Sequence, residues 1–169
     1  QAEDEIAAIC SAIGASYAGS LGVTSSSGPG IALKTEAIGL GIMTELPLVI
    51  VNSQRGGPST GNPTHVSQGD VMQARWGTHG DHLIIALSPS SAQEAFELTI
   101  KAFNLADRFR TPVVLLSDAI VAGLREKVEI PDAADIELVE RPEPAVAPEE
   151  YRPFDYATSE APPLAKFGS

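Results

Sequence analysis

A single arginine stands in a loop of small and hydrogen-bonding residues that spans residues 53–64 and reads SQRGGPSTGNPT. Arginine presents a planar fork of N–H donors that suits a carboxylate, so Arg55 is a candidate for binding an anionic ligand. Loops of this length within a compact domain are usually functional or disordered. The alternative interpretation is a solvated, glycine-rich turn with Arg55 on the surface.

A second candidate is the tetrapeptide Ser27-Gly28-Pro29-Gly30, which leads into a helix-like segment. Its two glycines permit close approach of a ligand to the backbone, and a helix that follows would offer free N–H groups to an anion. The nucleotide fingerprints are absent, since no G-x-x-x-x-G-K-[ST] occurs and the third glycine of G-x-G-x-x-G is missing. The pattern alone favours a tight turn over a phosphate-binding loop.

Three carboxylic residues, Glu3, Asp4 and Glu5, stand at the head of an apparent helix. Acids in a first helical turn ordinarily complement the helix dipole and remain solvated, and this is the interpretation that the run by itself favours.

Metal and thiol chemistry have little support. The sequence places His65, His79 and His82 close together, but Gly80 breaks helical spacing and no third ligand is evident, so we expect a polar loop and no metal ligands. The single cysteine, Cys10, excludes an internal disulfide and a four-cysteine zinc or iron–sulfur site in this chain. No G-x-S-x-G elbow supports a serine hydrolase.

The chain has 169 residues, a length that suits one ordinary domain, and a formal net charge of −11. A pI near 4.6 makes nucleic acid an improbable partner, because an acidic protein repels phosphates. The apolar runs are far shorter than the roughly 18 residues of a membrane span. The first residue is Gln1 and no signal-peptide pattern is present, so we expect a processed or truncated chain.

Residues 1–123 alternate short, β-branched apolar runs with helical patterns. The expected helices are 4–17, 31–43 and 91–109, with a further short helix after the long loop, and the expected strands are 21–24, 46–51, 83–87 and 112–116. Apolar residues on both faces of residues 46–51 indicate a buried strand. Alternating strands and helices of these lengths predict an α/β fold with a parallel sheet.

The remaining residues, 124–169, differ in composition. They contain 7 of the 13 prolines and 11 of the 22 acids, against 5 bases. We expect an extended linker or a strap over a neighbouring surface, and disorder is the alternative.

Four motifs in register carry a resemblance to a known family. They are Gln1-Ala2-Glu3-Asp4-Glu5-Ile6-Ala7-Ala8, Gly14-Ala15-Ser16-Tyr17-Ala18-Gly19, Ser27-Gly28-Pro29-Gly30 and residues 54–61, QRGGPSTG. Over residues 1–123 the chain resembles the alpha subunit of 2-oxoacid:ferredoxin oxidoreductases, most closely the 2-oxoglutarate type. The resemblance implies the pyrimidine-binding domain of a thiamine diphosphate enzyme, with a Rossmann-like parallel sheet.

The resemblance assigns roles to these motifs. A glutamate that precedes a glycine by nine positions, as Glu5 precedes Gly14, would be the catalytic acid that bonds N1′ of the cofactor's aminopyrimidine. The Ser27-Gly28-Pro29-Gly30 turn would lie against the cofactor or substrate. Arg55 would hold a substrate carboxylate, with Ser59 and Thr60 as nearby donors.

The resemblance also implies partners. The Mg²⁺–diphosphate signature G-D-G is absent from the sequence, and no iron–sulfur ligands are present. In the family the diphosphate-binding domain lies on a beta subunit, so we expect this chain to supply half of a cytoplasmic, oligomeric enzyme that uses a 2-oxoacid, coenzyme A and ferredoxin. Pyruvate or a branched-chain 2-oxoacid are alternative substrates, and a non-catalytic interaction subunit of the same fold is the alternative function.

Overall fold

The computed structural model describes residues 2–157 and 159–168. Gln1, with which the first motif begins, lies outside this range. The helices are α1 (Glu5–Tyr17), α2 (Gly28–Met43), α3 (Val71–Trp76), α4 (Ala92–Phe109) and α5 (Ala119–Gly123), and the strands are β1 (Val23–Ser26), β2 (Leu48–Gln54), β3 (Ile85–Leu87) and β4 (Pro112–Asp118). A 3-10 turn spans Ala133–Asp135.

The four strands form one sheet in the order β1-β2-β4-β3, and every neighbouring pair is parallel. The register aligns Ser26 with Asn52 and Gln54 with Asp118, so β1, β2 and β4 end at the same edge of the sheet. The predicted α/β fold with a parallel sheet and flanking helices is therefore confirmed.

Helices cover both faces of this sheet. On one face α1 and α2 pack in a cluster that includes Ile9, Ile38, Ile50 and Leu116. On the other face α4 packs through Ala102 and Ala106 against Val49 and Val113. Since β2 and β4 are buried on both sides, they form the centre of the domain, as parallel strands between two helical layers do.

Side-chain caps fix the starts of two helices. Asp4 accepts a hydrogen bond from the backbone N–H of Ala7 at 2.7 Å and so begins α1. Ser91 accepts from the N–H of Glu94 at 3.1 Å and so begins α4. Both match the expected helix starts, because short polar side chains satisfy N–H groups that the first helical turn leaves free.

Other boundaries differ from the expectation. The segment 28–30, expected as a turn, is the first turn of α2, where a proline is tolerated because its missing N–H would have no helical partner. The first strand begins two residues later than expected, at Val23, and the second continues to Gln54. Pairing with β4 along its whole length extends β2 into what the sequence presents as loop.

The segment after Gly123 is mostly extended and returns to the domain. Leu164 is buried in the cluster beneath α1 and α2, and the N–H of Phe167 donates to the carbonyl of Tyr17 at 2.8 Å. Arg110, at the end of α4, donates to the carbonyls of Pro153 and Pro162 at 3.0 and 2.7 Å. Among the described helices, none is both long and apolar enough to cross a bilayer.

Candidate functional site at the carboxyl edge of the sheet

The carboxyl ends of β1, β2 and β4 border an open cavity of about 360 Å³. Its lining is mostly polar and small, and consists of Ser25, Ser26, Ser27, Val51, Ser53, Arg55, Pro63 and Ala119. Ligands in open α/β folds bind at this edge, where the strands end and the helices that follow begin. Of the residues that the sequence points to, Ser27 and Arg55 line this cavity, whereas Glu5, Gly28, Pro29 and Gly30 do not.

Glu5 reaches this edge from the first turn of α1. A Cβ placed on Gly30 would lie 2.8 Å from Cγ and 2.9 Å from Oε1 of Glu5, and only 2.0 Å from Oγ of Ser26. Real Cβ atoms essentially never approach other atoms so closely. Only glycine at this position lets the Glu5 side chain and β1 meet the start of α2.

The start of α2 also contacts Arg55. A Cβ on Gly28 would lie 3.9 Å from Cγ and 4.0 Å from Nε of Arg55. The Arg55 Nε is buried and has no hydrogen-bond partner among the described residues. One helical turn thus brings Glu5 and Arg55 to neighbouring positions, the carboxyl at Gly30 and the guanidinium at Gly28.

The loop after Arg55 folds back on itself. The N–H of Asn62 donates to the carbonyl of Gly56 at 2.8 Å. The N–H of Gly56 donates to the carbonyl of His65 at 3.0 Å. Ser59 and Thr60, expected near the substrate, are both exposed on this loop, and neither lines the cavity that holds Arg55.

Two amides on β2 leave acceptors unused. Asn52 and Gln54 are nearly fully buried, and within the described chain their side-chain oxygens lack hydrogen-bond partners. The Asn52 amide nitrogen donates to Asp70 at 3.1 Å. A buried acceptor without a donor is costly, so these oxygens mark places for a donor from a ligand or water.

Asp118 closes the edge at the end of β4. Its Oδ1 accepts from the N–H groups of Ile120 and Val121, both at 2.9 Å, and its Oδ2 accepts from Gln68 at 2.9 Å. The hydrogen bond from Val121 is the largest cause that lowers the pKa of the Asp118 carboxyl. Asp118 therefore caps α5 as an anion and holds the loop that contains Gln68.

Sequence reasoning missed Lys34, which is wholly buried on α2 beside this site. Its Nζ donates to Oγ1 of Thr24 at 2.7 Å and to the carbonyl of Ser25 at 3.1 Å. The signal was present, because Lys34 follows Gly30 by four positions and precedes Ile38 by four. A lysine at that spacing falls on the buried face of the helix.

The histidines do not gather around a site. The Nδ1 atom of His82 lies 3.2 Å from Oγ1 of Thr78, whereas His65 and His79 are exposed. Within the described residues no group of three His, Cys, Asp or Glu side chains is arranged to hold a metal ion.

The residues fit one half of a thiamine diphosphate site. The Glu5 carboxyl is of the type that would bond a basic ring nitrogen, and Gly30 keeps the space beside it free of a side chain. The acceptors of Asn52 and Gln54 alternate along β2 with Val51 and Ser53, and neither amide lines the cavity that holds Arg55. A cluster of carboxylates that could hold the Mg²⁺ ion of a bound diphosphate is not assembled in the described part of the chain.

Comparison with known proteins shows which proteins this chain is similar to. The family model for pyruvate flavodoxin/ferredoxin oxidoreductase, thiamine diphosphate-binding, matches residues 1–168. The 2-oxoglutarate synthase subunit KorA of Methanothermobacter thermautotrophicus is 54% identical over 168 residues, which are 99% of this chain and 44% of that protein. The 2-oxoglutarate oxidoreductase subunit KorA of Mycobacterium tuberculosis is 54% identical over 132 residues, 78% of this chain and 20% of that protein.

A solved structure is similar over the whole chain. The 2-oxoglutarate:ferredoxin oxidoreductase from Magnetococcus marinus, solved with 2-oxoglutarate, coenzyme A and succinyl-CoA bound, superimposes with a TM-score of 0.84 at 36% identity, covering 100% of this chain and 29% of that one. The chain spans less than half the length of these relatives. With a family model that matches nearly its whole length, the chain belongs to the thiamine diphosphate-binding family of pyruvate flavodoxin/ferredoxin oxidoreductases.

Proposed function

We propose that this chain is the pyrimidine-binding part of an enzyme that oxidatively decarboxylates a 2-oxoacid, with 2-oxoglutarate as the substrate, to acyl-coenzyme A. The observation that carries the proposal is the first turn of α2, where Glu5 lies at Gly30 and Arg55 lies at Gly28. This turn therefore contacts both an acid for the cofactor ring and a cation for the substrate.

Bound thiamine diphosphate would supply the nucleophilic carbon for decarboxylation. The Glu5 carboxyl would hold N1′ of the aminopyrimidine by a shared proton, which orients the ring and makes its amino group a better base. Gly30 allows that carboxyl to approach, and Ser27, Gly28 and Pro29 would border the bound cofactor.

Arg55 would bind a carboxylate of the substrate. Its Nε has no partner within the described chain, and the start of α2 adds the positive end of a helix dipole. The serines of the cavity would add neutral donors. Ser59 and Thr60 are exposed, so they would donate to the substrate only if their loop moved toward Arg55.

The reaction requires groups that other chains would carry. We propose that a beta subunit supplies the diphosphate and Mg²⁺ site and that iron–sulfur centres on other chains pass electrons to ferredoxin. An oligomer in which the two halves meet follows from it.

We also propose a division of the chain itself, with residues 1–123 as the cofactor domain and residues 124–169 as a strap. Support comes from the strap's contacts with the domain, which include the ion pair of 2.8 Å between Arg141 Nε and Asp107 Oδ1. Arg141 also donates to the carbonyl of Ser16 at 2.8 Å and so ties α1 to α4.

The test is Glu5→Gln in the full-length chain assembled with its partner subunits, with Glu3→Gln as the matched control. Glutamine keeps the shape of Glu5 but cannot share the proton in the same way. We expect decarboxylation to fall by about a hundredfold or more and thiamine diphosphate to bind more weakly, while Glu3→Gln leaves both unchanged. Unchanged turnover and affinity in Glu5→Gln would support the alternative of a non-catalytic interaction subunit.

A further inference from the structure

The most unusual charge in the domain is Lys34, a lysine with 0% of its side chain exposed. Lysine is almost never fully buried without a partner of opposite charge, because removing an ammonium from water is costly. No carboxylate in the described chain lies within 4.0 Å of it, as the ion pairs there involve other residues. A buried cation without a direct ion pair calls for a reason.

Hydrogen bonds hold the ammonium at the end of β1. The Nζ donates to the hydroxyl of Thr24 and to the carbonyl of Ser25, the residue before Ser26. Both acceptors are neutral, so they fix the position of the ammonium without cancelling its charge.

This position is close to Glu5. Lys34 lies one helical turn after Gly30, on the same face of α2, and helical side chains lean toward the start of the helix. The Lys34 side chain therefore leans toward the turn at which Gly30 meets Glu5 and Ser26.

The negative charge that acts on Lys34 is that of Glu5. The residues of α1, β1 and β2 include no other charged side chain, and the remaining titratable groups of α1 are the exposed Cys10 and Tyr17 at its far end. The charged groups on or next to the elements packed against α1 and α2 are Arg55 directly after β2, the exposed Glu36 on α2 and Asp118 at the end of β4. Burial lowers the pKa of the Lys34 ammonium, and the negative charge of Glu5 opposes that shift.

We propose that Lys34 is a positioning residue that acts through Glu5, favouring the carboxylate form of Glu5 so that the shared proton resides on the cofactor's ring nitrogen. The inference rests on the proposed role of Glu5. It explains why a lysine occupies a buried position that an aliphatic residue would fill at lower cost.

The test measures thiamine diphosphate affinity against pH by calorimetry, in the complete enzyme with Mg²⁺, for the wild type and Lys34→Met. Without the ammonium, Glu5 takes up a proton more readily. We expect the acid limb of the affinity profile to move upward by on the order of one pH unit, the effect of a unit charge several ångströms away at an effective dielectric constant of about 20. If Lys34→Met does not assemble, Lys34→Gln, which can still donate to Thr24, serves the same test.

Two controls separate this role from a structural one. Lys101→Met removes an exposed lysine from α4 and should leave the profile unchanged. In a Glu5→Gln background, Lys34→Met should no longer move the acid limb, because the group through which it acts is gone.

The outcomes distinguish the two proposals. An unmoved acid limb in Lys34→Met, or a shift that persists in the Glu5→Gln background, overturns the role of Lys34 while leaving that of Glu5 intact. A Glu5→Gln enzyme with the affinity and profile of the wild type overturns the proposed function itself.

Discussion

Gly30 approaches Glu5 so closely that a methyl group in place of its hydrogen would stand 2.9 Å from Oε1 of the glutamate. This contact joins the first turns of α1 and α2, two helices that lie side by side on one face of the sheet. It sets where the carboxyl group can be, and hence which ligand can reach it.

Replacing Gly30 by alanine should displace Glu5 and weaken thiamine diphosphate binding by tenfold or more, because the added methyl group would overlap Ser26 and Glu5. Calorimetric titration of the assembled enzyme measures this. Gly39→Ala is the matched control in the same helix, since its Cβ would meet Thr78 at 3.7 Å, an ordinary contact. That variant should bind normally and be more stable by up to about 1 kcal/mol. Equal binding by the two variants would contradict the account.

Replacing Arg55 by alanine should raise the KM for 2-oxoglutarate by about ten- to a hundredfold, since a hydrogen bond between charged groups is lost. Steady-state kinetics with 2-oxoglutarate and with a monocarboxylic 2-oxoacid show which carboxylate Arg55 holds. A rise in KM for 2-oxoglutarate alone indicates that Arg55 holds the distal carboxylate. A rise in KM for both substrates indicates that it holds the carboxylate that leaves as carbon dioxide. Arg108→Ala, at an exposed position on α4, is the control. An unchanged KM for both substrates would remove Arg55 from the site.

Arg110 should be the main anchor of the strap. Its guanidinium is 4% exposed, donates to two strap carbonyls and pairs with Glu45 at 3.2 Å. Arg110→Ala should lower the free energy of unfolding by about 3 kcal/mol, because it leaves a partly buried carboxylate without its cation. Denaturant titration measures the loss, and limited proteolysis should cut residues 142–157 first. Equal protease resistance in the variant and the wild type would show that the strap is held elsewhere.

Asp118 should make a pH-dependent contribution to stability. Its folded-state pKa is below the ordinary value of 3.8, so the stabilisation is present at neutral pH and is lost as the pH falls through the folded-state value. Asp118→Ala should cost about 1 kcal/mol at pH 7, typical of a lost helix cap, and less at pH 3. Thermal unfolding at both values measures the difference, with the exposed Asp81→Ala as control. If the loss of stability caused by Asp118→Ala were larger at pH 3 than at pH 7, the predicted direction of the pH dependence would be wrong.

Local sequence patterns were sufficient for most of the fold. The helices expected over 4–17 and 91–109 correspond to α1 and α4. The two-sided apolar run of β2 indicated a buried parallel strand. These features depend on neighbours within a few positions in the chain, so periodicity and capping reveal them.

Motif order was likewise enough to identify the family, and it named Glu5 and Arg55 as candidate site residues. It could not show that both meet the same turn of α2, because that turn was expected to be a loop rather than the first residues of the helix. The exposed positions of Ser59 and Thr60 were equally hidden, since the path of the loop depends on backbone hydrogen bonds between Gly56, Asn62 and His65.

By itself, then, the sequence determined the α/β class, the starts of α1 and α4 and the chemistry available at the strand ends. Only the tertiary structure decided that the charge of Lys34 is buried beside Glu5 and that Arg110 is enclosed by the returning strap. The physical reason is that burial belongs to contacts between distant segments. A lysine on a helix is compatible with water or with a core until the strand beside it, here through Thr24 and Ser25, provides its hydrogen bonds.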